Sequence, residues 1–388
     1  MSSFSDQKPS IKELECSQTV TEPAVNNDKL ALGASIKRYP KVVAYTFAII
    51  TGVLYVGFDT VIVGTVTALP FFQRDFGRPE PNTEFGWALP ATWISLWSAL
   101  GPLGAIFGGI FAGWFQDRAG RKLSLTTGSL IAIVAIAIMY CSNLPSDVDA
   151  RRGVFLMSKL LQGSSVGVIL ATIQTYISEI TPPCLRGPIM ALFPTFILLG
   201  QLAGAAVIFA MSSEHSPRSY LISFASQWVF AVLPLIMSII MPQSPVWLLQ
   251  RERIDEAHIV QRRLHNSDFD VAASIKQMKA AIILDRRQAA ETSYVDCFKS
   301  TDRRRTLVVI LASTLPMLFG LPLLASASYF IQQVGMKASL SLVFLLIGIA
   351  LGFVSNGVSV WITSKVGRRL LTLASGMAAQ QFCTPQFA

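Results

Sequence analysis

Gly113-Trp114-Phe115-Gln116-Asp117-Arg118-Ala119-Gly120-Arg121-Lys122 joins two long apolar runs. Asp117, Arg118, Arg121 and Lys122 crowd around Gly120, a residue free to adopt the backbone of a tight turn. A charged turn this short between apolar runs reads as a membrane loop, and its Lys and Arg assign it to the cytoplasmic side. Downstream, Ser364-Lys365-Val366-Gly367-Arg368-Arg369 echoes it, with Ser364 where the first copy has Asp117. Recurrence after several apolar runs points to internal duplication in a membrane protein.

Composition agrees with that reading. The 388 residues are 52% hydrophobic and only 14% charged, against about a quarter charged in soluble domains. The apolar runs reach roughly 20 residues, the length that crosses a bilayer as a helix. The fold class is therefore all-α and polytopic. The net charge of +9 follows from basic cytoplasmic loops and calls for no nucleic-acid partner. The five Cys and three His show no metal-ligand spacing. No nucleophile–base pair or phosphate loop stands out, so neither an enzyme nor a cofactor or metal site is expected.

The chain divides in order. Residues 1–42 read as a disordered cytoplasmic tail, held inside by Lys37, Arg38 and Lys41. Residues 43–242 hold six spans, at about 43–69, 90–114, 123–141, 153–178, 188–210 and 224–241. Between the first two, the segment to about 88 reads as an outer loop; Asp147 to Arg152 lie in another. Gly104/Gly108 and Gly109/Gly113 are small-xxx-small pairs that permit close helix packing. Residues 243–304 read as a cytoplasmic loop with short amphipathic helices, and 305–370 as two more spans, at about 306–331 and 338–363. Residues 371–388 turn polar and read as an aberrant, truncated tail.

Charges inside spans are costly, and they usually pair or face a cavity. At 1.5 Å per residue, Asp59 lies about 24 Å from the inner face, Lys159 about 21 Å and Gln201 about 20 Å. The common depth makes Asp59 a candidate proton carrier with Lys159 as its partner. A static pair that fixes packing is the plainer alternative. Gln201, which both donates and accepts, suits a polyol or an ordinary interhelical hydrogen bond.

The motifs together resemble the sugar porter branch of the major facilitator superfamily. Gly57-Phe58-Asp59-Thr60 is similar to its first-helix motif. Gly113 through Lys122 is similar to the loop 2–3 signature, and Glu179 with Arg186-Gly187 to the inner turn after helix 4. Pro242-Gln243-Ser244-Pro245-Val246-Trp247 is similar to the sixth-helix exit motif, with Gln243 for the usual Glu. Ser293 to Lys299 is similar to fungal α-glucoside (maltose permease-like) proton symporters.

The resemblance implies a major facilitator fold with a complete N-terminal six-helix bundle and about two helices of the C-terminal bundle. It implies symport of a small sugar with a proton across a lipid bilayer by alternating access, in the plasma membrane. Asp59 and Lys159 would couple the proton, and Gln201 and Tyr329 would bind sugar. Gly113, Asp117, Arg118, Gly120, Arg121, Glu179 and Arg186, with Gly367, Arg368 and Arg369 of the echo, would form the cytoplasmic gate. Loops of this kind also serve simply to anchor topology, and Tyr329 also reads as an ordinary interfacial residue. Two further readings of the same fold stay open, a sugar sensor and a truncated fragment that does not transport.

Overall fold

The computed structural model describes residues 32–81, 86–212, 214, 216–265, 269–291, 298–318 and 338–365. Helix α1 (Leu32–Arg38) leads into α2 (Pro40–Ile50) and α3 (Val53–Val66), which together make the first span. Then come α4 (Pro70–Phe76), a two-stranded hairpin of β1 (Arg78–Pro79) and β2 (Trp87–Ala88), α5 (Ala91–Ala119) and α6 (Arg121–Tyr140). Helices α7 (Val148–Ile180), α8 (Pro183–Met211) and α9 (Arg218–Ile240) complete six spans. Three shorter helices follow: α10 (Pro245–Gln250), α11 (Ile254–Leu264) and α12 (Val271–Glu291). Last are α13 (Ser300–Leu318) and α14 (Ala338–Lys365). Among the described residues, seven helices are long and apolar enough to cross a membrane, the seventh at Leu340–Val358. The span expected at about 306–331 runs partly outside the described residues.

Helix starts follow local chemistry. Pro40, Pro183 and Pro245 stand in first turns, where a missing N–H costs nothing. The Asp147 side chain caps α7 by accepting from the Ala150 N–H at 3.2 Å.

The bundle closes through glycine. Helix α5 packs on α7, α7 on α6, α6 on α9, α9 on α3 and α3 on α8. A Cβ added at Gly104 or Gly108 would sit on the carbonyl oxygen of Leu160 or Ser164; one at Gly163 or Gly167 would sit on that of Gly101 or Ala105. The two backbones are thus in direct contact, which small residues allow in a membrane. Gly57 and Gly200 do the same at the α3–α8 crossing, against Ile197 and Leu54. The opposite face of α5 exposes Leu103, Ile106, Phe107, Ile110 and Trp114. Helix α14 packs on α8, where Asn356 Nδ2 donates to Thr195 Oγ1 at 2.9 Å.

Several expectations change. Helix α1 lies inside the segment read as a disordered tail, and Tyr39 beyond it is buried against His265 and Phe269. Only the Gly104/Gly108 pair packs as expected. A Cβ at Gly109 or Gly113 would meet no neighbouring helix among the described residues. The segment read as an outer loop contains α4, which folds back over the bundle. Arg152, also expected in a loop, is one of the largest fully buried side chains. Its guanidinium donates to the carbonyls of Phe76 at 2.7 Å and Gly77 at 2.9 Å, the end of α4, and binds Asp149 at 2.7 Å. Helices α7 and α9 begin earlier than expected, at Val148 and Arg218.

Candidate functional site

Asp59 on α3 faces Lys159 on α7. The ammonium Nζ lies 3.7 Å from Asp59 Oδ1, an ion-pair distance longer than a hydrogen bond. The Lys159 side chain is 3% exposed and that of Asp59 15%. Asp59 Oδ1 is nonetheless buried without a hydrogen-bond partner among the described residues. The two residues that share a depth in the sequence also lie side by side in the structure.

Behind the pair runs a polar relay that the sequence reading did not single out. Lys159 Nζ donates to Gln162 Oε1 at 2.7 Å. Gln162 Nε2 donates to Gln227 Oε1 on α9, and Gln227 Nε2 points at Met139 Sδ on α6, 3.6 Å away. An ammonium can only donate, so it fixes the direction of both amides. Tyr55, one turn before Asp59, lies 3.1 Å from Ser165 Oγ, whose own proton goes to the Gln162 carbonyl at 2.7 Å. Tyr55 must therefore be the donor in that contact. Gln162, Gln227, Ser165 and Tyr55 have no exposed surface. Uncharged polar residues are common in spans, so only the partners seen across helices mark these as a unit.

One end of the bundle is sealed above the pair. Lys159 Nζ sits 5.6 Å from the centre of the Phe155 ring. Phe155 packs against Trp97, Phe72, Phe76 and Phe224 at centroid distances of 5.0 to 5.8 Å. Phe72 and Phe76 belong to α4, held there by Arg152 and by the Tyr220 hydroxyl, which donates to Asp75 Oδ2 at 2.7 Å. Gln201, beside the Gly200 crossing, is half-buried, and its side chain bonds to no described residue. Tyr329 lies outside the described residues.

The charged turn forms at the other end. Gly120 ends α5 with φ 89°, a backbone that disfavours any side chain. Arg121 is 4% exposed despite its charge. Its Nη2 donates to Glu179 Oε1 at 2.6 Å, and its Nη1 donates to the Gln116 carbonyl at 3.0 Å and stands 3.7 Å from Asp117. Gln243, where the family pattern has Glu, packs on Gly120, and its Oε1 accepts from the Lys122 N–H at 3.1 Å. Trp247 Nε1 and Arg251 Nη2 bind the Asp117 carbonyl, both at 3.1 Å, and Arg251 also binds that of Arg118 at 3.0 Å. These bonds satisfy orphan carbonyls at the end of α5.

Of the expected gate residues, Asp117, Gly120, Arg121 and Glu179 come together. Arg118 instead lies over the Trp114 ring, 4.5 Å from its centre. Arg186 and Glu179 line one cavity of about 870 Å³ with Arg38 and His265, yet Arg186 pairs with no acid among the described residues. Gly113 faces away, and Gly367, Arg368 and Arg369 lie outside the described residues.

At the foot of α2, the Lys41 ammonium donates to the His265 carbonyl at 3.2 Å. The His265 ring stacks on Phe269 with centroids 3.9 Å apart, and its Nδ1–H donates to the Gln261 carbonyl at 3.2 Å. Burial holds the imidazole below its ordinary value near 6.5, against the opposing pull of that hydrogen bond.

A glycine-packed bundle of spanning helices, a buried acid–ammonium pair and a charged hairpin define a multi-pass helical membrane protein. Residues 44–386 match the family described as sugar (and other) transporter, and the chain belongs to it. It is 30% identical over 322 residues to the MFS transporter fmqE of Aspergillus fumigatus, covering 82% of this chain and 58% of that protein. It is 28% identical over 388 residues to the alpha-glucosides permease MPH3 of Saccharomyces cerevisiae, covering 97% of this chain and 63% of that one. The chain thus spans less than two thirds of the length of these relatives. The proton:xylose symporter XylE bound to 6-bromo-6-deoxy-D-glucose shares the fold, with a TM-score of 0.70 at 19% identity over 86% of this chain and 71% of that chain.

Proposed function

We propose that the chain serves secondary active transport, moving a hexose or an α-glucoside together with a proton by alternating access. The observation that carries this is the Asp59–Lys159 pair: a carboxylate inside a membrane bundle, with one buried oxygen unbonded and a cation at 3.7 Å. Protonating Asp59 removes one charge of the pair and so changes which arrangement of the helices is favoured. Gln201, free to donate and accept, contacts sugar hydroxyls; Tyr329 is assigned with it from the resemblance alone. Arg121, Glu179 and Asp117 close the cytoplasmic end, with the echo at Gly367 to Arg369 as its counterpart. The names of the yeast relatives support the substrate class, and the basic loops support a cytoplasmic N-terminus in the plasma membrane.

The test is uptake of labelled maltose and of labelled glucose by cells lacking their own carriers. Uptake should collapse when an uncoupler abolishes the proton gradient, and Asp59→Asn should lose its pH dependence. Uptake indifferent to the uncoupler refutes symport. No uptake of any sugar, with the chain present in the membrane, refutes transport by this chain.

A further inference from the structure

Two acceptors compete for one ammonium. Lys159 Nζ is 2.7 Å from Gln162 Oε1 and 3.7 Å from Asp59 Oδ1. Both acceptors are buried, and Lys159 has three protons to give. A carboxylate is the stronger acceptor, yet the hydrogen bond goes to the amide and Asp59 Oδ1 receives none. Gln162 is not free to turn away, because Gln227 takes its amide N–H and Met139 backs Gln227.

We infer that Gln162 is a positioning residue for proton coupling: braced by Gln227, it keeps the Lys159 ammonium off Asp59 and so leaves the carboxylate able to take a proton. This rests on the reading of Asp59 as the proton carrier. The step is transfer of a proton from solvent hydronium to a carboxylate oxygen of Asp59, leaving water. Lys159 keeps its three protons throughout, and its charge is then met by the Gln162 oxygen alone. Among the described residues, the titratable group acting on Asp59 is Lys159 from α7, and Asp59 in turn acts on Tyr55 of its own helix. The packed helices α8 and α9 carry theirs only near one end, Cys184 and Arg186 on the first and Arg218 and Tyr220 on the second. Elsewhere α7 holds Asp149, Arg151, Arg152, Tyr176 and Glu179 toward its two ends, and α2 holds Lys41 and Tyr45.

The test is infrared difference titration of the purified 388-residue chain in lipid nanodiscs. The carboxyl band that Asp59→Asn removes is followed against pH. Gln162→Met frees Lys159 to bond Asp59, and the midpoint should move toward acid by about one unit. Gln162→Glu binds the ammonium harder and should move it toward alkali. Gln227→Met, which loosens the brace without touching Lys159, should move it toward acid by less. A change of packing alone gives no such opposition of sign. Should either Gln162 variant misfold, the Gln227 variant and the remaining one still decide. An unmoved midpoint, or movement of both Gln162 variants in one direction, overturns the inference and leaves the Asp59 reading standing. A wild-type spectrum with no Asp59-dependent titration overturns both.

Discussion

Among the described residues, two buried ion pairs of the bundle are built differently. At the charged turn, Arg121 meets Glu179 at 2.6 Å and adds the Gln116 carbonyl and Asp117 to the same guanidinium. Inside the bundle, Lys159 stands 3.7 Å from Asp59 and spends its hydrogen bond on Gln162. Removal from water is costly for all four charges, and only close, well-directed hydrogen bonds offset it. Arg reaches three groups through a planar fork, whereas Lys is a point charge on a flexible stem. The first pair ties the start of α6 to the end of α7 and the last turn of α5. The second joins α7 to α3 loosely, leaving an oxygen where a proton can bind.

That contrast can be broken first at its strong side. Arg121→Ala leaves Glu179 buried and unpaired, and should cost about 3–5 kcal/mol. The measurement is thermal unfolding of the purified chain, and stability like wild type would place the strength elsewhere. Asp59→Asn should cost less, about 1–3 kcal/mol, because Lys159 keeps Gln162 as acceptor. A loss equal to that of Arg121→Ala in the same assay would erase the distinction between the pairs. Gln243→Ala removes the acceptor for the Lys122 N–H and should cost about 1 kcal/mol. Gln243→Glu, which keeps the acceptor, should restore stability, and failure to do so would show that Gln243 acts by packing on Gly120.

The smallest effect concerns pH. Because burial holds His265 below its unfolded value near 6.5, the unfolded chain takes up this proton first. Stability from this site is present above that value and declines as pH falls below it. His265→Gln should flatten the acid side of the stability profile modestly. An unchanged profile would remove His265 from the joint between α2 and α11.

Much of this was legible in sequence for a physical reason. A bilayer makes every charge in a span conspicuous, so Asp59 and Lys159 could be singled out and ranked by depth from the helical rise. Gly120 and Arg121 were legible because a charged turn between apolar runs admits few geometries. What stayed hidden depends on who meets whom. Gln162 and Gln227 are ordinary polar residues until α7 and α9 bring them together. Helix α4 has seven residues, too few to show periodicity, and its C-terminal carbonyls are satisfied by Arg152 from a distant part of the chain. Gln243 was visible as a departure from the family pattern, but its contact with Gly120 depends on how α10 docks.

The contact between α5 and α7 has a genetic consequence. Glycine is encoded by GGN, so a single base change in either of the first two positions gives a larger residue or a stop. At Gly104, Gly108, Gly163 and Gly167 every such residue would place a carbon on a backbone oxygen of the neighbouring helix. These four codons should therefore accept silent third-base changes only.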